Sequence, residues 1–232
     1  MIPLVLKFPD CKVMRMIERS GHDEGQLPAD NRRALRLVVR GRRKASLATL
    51  MGGAPYCSLV TVAVERDLSV LLLLSGLSDH TRNIQADARV SLLFDATDGL
   101  ANPQTGPRVT MIGTASRTED RDARDRFLAI HPGARLYAGF GDFAVWRVAP
   151  DRAHFVGGFG RAVWFDHPFG MRGGQLNLGA EMALPEGVVG IDCDGIDIWK
   201  DESFQRLDFP RAAETQDSIE ALISQSPGSQ RE

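Results

Sequence analysis

Between residues 44 and 157 the chain runs in short apolar stretches rich in Val, Leu and Thr, set apart by polar turns and loops. That pattern predicts strands over Lys44–Met51, Tyr56–Glu65, Ser69–Ser75, Ala88–Phe94, Arg108–Arg117, Phe143–Val148 and Ala153–Gly157. Gly52-Gly53-Ala54-Pro55 and Arg66-Asp67 are turn signals between them. Helices are predicted over Ala29–Arg40, over Ser78–Asp87 with Ser78 as its N-cap, and over the charged stretch Asp120–Ile130, closed by His131-Pro132-Gly133. In the first helix Ala34, Leu35, Val38 and Val39 share a face, and Arg32, Arg33, Arg36 and Arg40 form the other, read as solvated. Asp95–Pro107 is a polar loop, and residues 1–28 have no clear period and read as a loose arm. Successive short strands with helices only at connections imply a mainly β fold, a closed antiparallel barrel rather than a βαβ sheet.

Composition changes this picture at one point. Through residue 165 there are 23 basic and 17 acidic side chains, and from Asp166 onward 5 and 13, so the charge turns from +6 to −8. A domain boundary is therefore expected near 166–174, with a small C-terminal domain over 175–224 and a disordered polar tail over 225–232. The sequence pI of about 6.2 argues against a general nucleic-acid binder. Arg32–Lys44 is basic but lacks aromatics for base stacking. No apolar stretch is long enough to span a bilayer, and the N-terminus lacks a basic n-region. Cys11, Cys57 and Cys193 have no framework spacing, so a cytoplasmic protein is expected.

The familiar catalytic signatures do not occur. Gly139-Phe-Gly141-Asp-Phe-Ala144 has the letters of a dinucleotide fingerprint, but Phe143 onward reads as strand where a helix is required. The five histidines, His22, His80, His131, His154 and His167, are never spaced for a metal on one helix face, and no metal site is expected. That absence is informative only if a bound cofactor brings the reactivity itself, as flavins do.

One segment does carry chemistry. Leu73–Ile84 joins a buried strand to a helix and packs Ser75, Ser78, His80, Thr81, Arg82 and Asn83 into nine positions. A helix N-terminus offers unpaired N–H groups and a partial positive charge to an anion. The hydroxyls can donate to phosphate oxygens, and Arg82 adds a permanent charge in a fork. In the plainer reading Ser78 only caps the helix and Arg82 points to water, and by residue type alone that is the commoner arrangement. Phe155–Ala162, with its glycines, allows either close approach of a flat ligand or a tight turn.

Six stretches in order, ASLATL (45–50), PYCSLVTVAV (55–64), LLLLSGLSDHTRNIQADARVSLLF (71–94), GPRVTMIGTASR (106–117), HPGARLYAGFGDFAVWRV (131–148) and AHFVGGFGRAVWF (153–165), resemble the FMN-binding split-barrel superfamily of pyridoxamine 5′-phosphate oxidase. They are most similar to its haem-utilisation branch. The resemblance implies a six-stranded antiparallel split β-barrel with flanking helices over 29–166, a linker at 167–174, and a small α+β C-terminal domain. It also implies a homodimer with FMN in clefts between subunits. Ser75, His80, Thr81, Arg82 and Asn83 match the positions that hold the FMN phosphate. Thr49, Ser58, Leu59 and Val60 would line the ring, and Arg108 and Thr110 would reach in from the other subunit. Gly187–Ser224 resembles the end of the branch's C-terminal domain. The helix that opens that domain normally carries a His-Met-Asn-x-Asp-His motif, whereas RGGQLNLGAEMALPEG (172–187) has no histidine, so haem handling by that helix does not carry over.

Three functions follow as expectations. The leading one is an FMN-dependent oxidoreductase with a small-molecule substrate that the sequence does not name. The second is a haem-binding or haem-degrading protein of iron utilisation, and the third a non-catalytic binding module that kept the barrel.

Overall fold

Alternation along the sequence becomes alternation between the inside and outside of a curled sheet. The computed structural model describes residues 27–225 apart from positions 181, 183, 185 and 201, so the arm over 1–26 and the tail over 226–232 lie outside the described residues. Two compact units result, Leu27–Asn177 and a C-terminal unit from Leu178 onward.

The first unit begins with α1 (Asn31–Arg40), capped by the Asp30 side chain, which accepts from the Arg32 N–H at 2.9 Å. Then come β1 (Lys44–Met51), β2 (Ala54–Thr61), β3 (Ala63–Val64), β4 (Val70–Ser75), α2 (Asp79–Ala86), β5 (Arg89–Asp95), β6 (Arg108–Thr118), α3 (Arg121–Ile130), β7 (Phe143–Val156) and β8 (Ala162–Asp166). All pairings are antiparallel, in the order β2-β1-β5-β6-β7-β4-β3, with β8 on β7. β2 and β3 are halves of one run broken at Val62, whose N–H turns to the Arg43 carbonyl at 2.9 Å. One half pairs with β1 and the other with β4, so the sheet returns on itself with six strand positions around the barrel.

Leu47, Val60, Leu72, Val90, Leu92, Phe94, Val109, Met111 and Phe155 fill the interior, each nearly inaccessible to water. Burying a side chain of this size contributes about 1.5–3 kcal/mol. β4 is buried on both faces because α3 packs on its outside with Ala123, Phe127, Leu128 and Ile130. Gly113 sits where β6 crosses a bulge, and a Cβ there would meet the Ala149 carbonyl oxygen at 2.2 Å.

The structure departs from the sequence expectations at several places. Tyr56–Glu65 is two strands, and Phe143–Val148 and Ala153–Gly157 are parts of the single strand β7. β8 follows the tight turn at Gly157–Arg161, where Gly158 has φ +114° and lies against the Thr105 carbonyl. Arg36 and Arg40 are not solvated but buried: Arg36 donates to the Phe169 carbonyl at 3.1 Å and Arg40 to the Glu65 and Arg66 carbonyls at 3.3 and 2.8 Å. Residues 167–174 accordingly belong to the barrel unit and are fastened to α1.

The C-terminal unit holds an antiparallel sheet of β9 (Val188–Asp192), β10 (Gly195–Lys200) and β11 (Ser203–Asp208), then α4 (Gln216–Gln225). Arg206 is buried in it, with Asp192 and Asp197 at 2.9 Å and Asp208 at 3.0 Å. Burial alone would lower its pKa, but the surrounding carboxylates outweigh that and raise it, so the guanidinium stays charged.

Candidate cofactor site

β4 ends at Ser75, paired with Phe143 at the start of β7, and the chain turns through Gly76-Leu77 into α2. Thr81, Asn83 and Ile84 of α2 are buried toward β1 and β2. Two polar pairs fasten the helix there. The Asn83 amide donates to Thr49 Oγ1 at 3.0 Å, and Ser58 Oγ lies 3.1 Å from His80 Nδ1. Burial lowers the His80 pKa, partly opposed by the Asp79 charge, which favours a neutral ring beside Ser58. Thr49, Ser58 and Asn83, read from the sequence as ligand-facing, therefore hold α2 on the barrel. Val60, beside them on β2, is buried.

The corner hydroxyls are used in the same way. Ser75 donates to Asp142 Oδ2 at 2.5 Å and accepts the Leu77 N–H at 3.1 Å. Ser78 donates to the Ser75 carbonyl at 2.7 Å, which leaves Thr81 to donate to Ser78 across 2.8 Å. Each hydroxyl has one proton, and all three are committed inside the corner. Ser78 stands at the N-cap of α2 as expected, yet its side chain caps no backbone N–H. The first turn thus presents its N–H groups without the usual internal acceptor. Arg82, one turn on, is exposed and paired with Asp79 at 2.9 Å. An exposed pair of this kind is weak, worth about 0–1 kcal/mol, so a phosphoryl dianion can replace the carboxylate.

The remaining expected residues lie elsewhere. Leu59, Ser46, Leu93, Thr110, His154 and Trp164 fall in register across β2, β1, β5, β6, β7 and β8 on the outer face of the sheet. Leu59 is 73% exposed, Trp164 44% and Leu93 38%, with Ile112 at 38% on the next row. Trp164 stacks on His154 with centroids 4.8 Å apart, and the Arg152 guanidinium lies 4.6 Å from the same indole. Arg108 does not reach the corner of its own chain and donates to the Gly106 carbonyl at 3.2 Å. Sequence reasoning missed Asp142, whose only signal was its place in a decoy glycine motif. It also missed this row, which follows from strand register rather than from any one run.

A family model described as pyridoxamine 5′-phosphate oxidase matches residues 32–157, which take in the barrel strands β1 to β7 and the corner. The chain belongs to that family. The chloroplastic non-canonical heme oxygenase HOZ of Arabidopsis thaliana is 31% identical over 159 residues, 66% of this chain and 48% of that protein. The chain thus spans about half the length of this curated relative. The Agrobacterium tumefaciens protein Atu2129 is 26% identical with a TM-score of 0.66, over 85% of this chain and 95% of that one. A heme binding protein from Mycobacterium smegmatis, 24% identical with a TM-score of 0.59 over 86% and 96% of the two chains, shares the fold. Among the described residues no helix is long and apolar enough to cross a membrane.

Proposed function

We propose that this member of the pyridoxamine 5′-phosphate oxidase family is an FMN-dependent oxidoreductase that works as a homodimer, with the flavin phosphate at the corner between β4 and α2. The observation that carries the reading is the first turn of α2, whose N-cap serine turns its hydroxyl away from the helix. N–H groups so exposed, with Arg82 beside them, suit a phosphate monoester. The donors that fit FMN are thus the α2 amides and Arg82, with the serine and threonine hydroxyls shaping the corner from behind. When bound, FMN would supply the hydride- or electron-transferring ring.

The outer row supports the dimer. Leu59, Leu93, Ile112 and Trp164 form an apolar strip across a sheet face, of the kind that marks an interaction surface. Covering it with a second copy would bring Arg108 and Thr110 of one protomer to the boundary where the other's flavin is expected. The test is the absorbance of the purified protein and the mass of what it releases on denaturation. Flavin bands and released FMN are expected. A colourless protein that gains no thermal stability from added FMN contradicts the reading.

A haem-binding reading has one observation in its favour beyond the heme oxygenase relative. His131 and His167 lie against backbone carbonyls and His80 against Ser58, whereas His154 stands on the outer face against Trp164. A neutral imidazole so placed can ligate iron. Haemin titration decides it: a shifted Soret band that disappears in His154→Ala supports this reading, and an unshifted band removes it.

A further inference from the structure

Gly139–Ala144, discarded as a nucleotide fingerprint, has another use in the fold. Successive turns close it, with the Phe140 N–H donating to the Tyr137 carbonyl and the Phe143 N–H to the Phe140 carbonyl, both at 3.0 Å. Tyr137 and Phe140 pack on Phe143 at 5.0 and 6.4 Å between centroids, which holds the loop against the start of β7. This braced loop delivers Asp142 to the corner twice over. Its backbone carbonyl accepts from the Gly76 N–H at 2.7 Å, and its carboxylate accepts from Ser75 Oγ at 2.5 Å.

We propose that Asp142 is the positioning residue of the phosphate corner: by fixing the Ser75 hydroxyl it sets the turn into α2, and so aims the α2 amides and Arg82 at the phosphate. The assignment rests on the FMN reading given above. A serine hydroxyl rotates freely unless its proton has a partner. With the proton held by Asp142, a lone pair of Ser75 Oγ faces the Leu77 N–H at 3.1 Å, which pins the residue just before the Ser78 cap. The Ser75 carbonyl meanwhile takes the Ser78 proton at 2.7 Å, which turns that hydroxyl away from the helix amides and leaves them open. The order of action is therefore Asp142 to Ser75, Ser75 to the turn, and the turn to the first N–H groups of α2. A shift of a fraction of an ångström there misaligns several donors at once, which is how a residue that touches no ligand can govern affinity.

The test compares FMN with riboflavin, which has the same ring and no phosphate, by fluorescence titration of the full chain. In Asp142→Ala the FMN Kd is expected to rise about tenfold, as for loss of one well-placed hydrogen bond, while the riboflavin Kd stays as in the unaltered protein. Asp142→Asn, whose amide oxygen accepts the same proton, restores most of the FMN affinity. Ser75→Ala gives the same loss as Asp142→Ala, and the double variant is no worse than either alone, as expected of two residues acting in series. Equal FMN affinity in Asp142→Ala and the unaltered chain overturns the assignment, as does an equal loss for both flavins, since that marks general unfolding. If the unaltered chain takes neither flavin, the FMN reading itself falls and takes this assignment with it.

Discussion

The corner and the outer sheet row are built on opposite rules. At the corner almost every polar side chain is satisfied within the protein: Thr49 with Asn83, Ser58 with His80, Ser75 with Asp142, Ser78 with Thr81. On the row, Leu59, Leu93 and Trp164 are left to water. Interiors satisfy their polar groups because an unpaired one costs about 1–3 kcal/mol, and surfaces rarely concentrate large apolar groups in one strip. The corner is thus preorganised within one protomer, and what it leaves over, amides and a guanidinium, suits an anion. The row leaves its apolar groups open in one protomer, and on the proposed reading a second copy would cover them.

The largest effect expected from breaking that contrast is at the row. Leu93→Glu would put a charge into the covered strip, and the dimer dissociation constant should rise at least about a hundredfold, read by light scattering, with the monomer still folded because Leu93 is already part exposed. An unchanged dimer would mean that the copies meet elsewhere.

At the corner Arg82→Ala should weaken FMN about tenfold or more, with thermal stability in the absence of flavin unaltered, since the residue is paired only to exposed Asp79. Thr49→Val should act in the opposite sense, costing about 1–3 kcal/mol in urea unfolding by orphaning the buried Asn83 amide. A variant that leaves stability untouched would show that the helix is not held there.

The smallest effect is on pH dependence. His131 donates from Nε2 to the Val62 carbonyl at 2.8 Å, and burial is the main cause of its lowered pKa, as it is for His80. The unfolded chain therefore binds protons more readily than the folded one, and stability falls as pH drops below the ordinary imidazole value of about 6.5. His131→Gln, which keeps a donor but does not titrate, should flatten part of that slope in urea midpoints between neutral and mildly acid pH.

Most of the barrel was legible because its strands are short runs rich in Val, Leu and Thr between turn signals, and α2 announced itself through Ser78. β8 was not, because Ala162–Asp166 is short, follows a glycine-rich turn, and is exposed or half-buried throughout. The break at Val62 was hidden because both halves of the run keep apolar residues inside, and the change of partner from β1 to β4 is a long-range event. Arg36 and Arg40 read as solvated because their acceptors are carbonyls distant in sequence, at Phe169, Glu65 and Arg66. At the corner the sequence drew attention to a cluster of polar residues, and the hydrogen bonds these residues make with one another were not legible in it. Thr49, Ser58 and Asn83 are polar in a way that suits a ligand or each other, and only the fold distinguishes the two.

Titration of the unaltered chain with FMN and with riboflavin bears most directly on whether the corner between β4 and α2 grips a phosphate. One FMN per protomer, bound at least about tenfold more tightly than riboflavin, is the expected outcome. Equal affinity for the two flavins would place the phosphate elsewhere and contradict it.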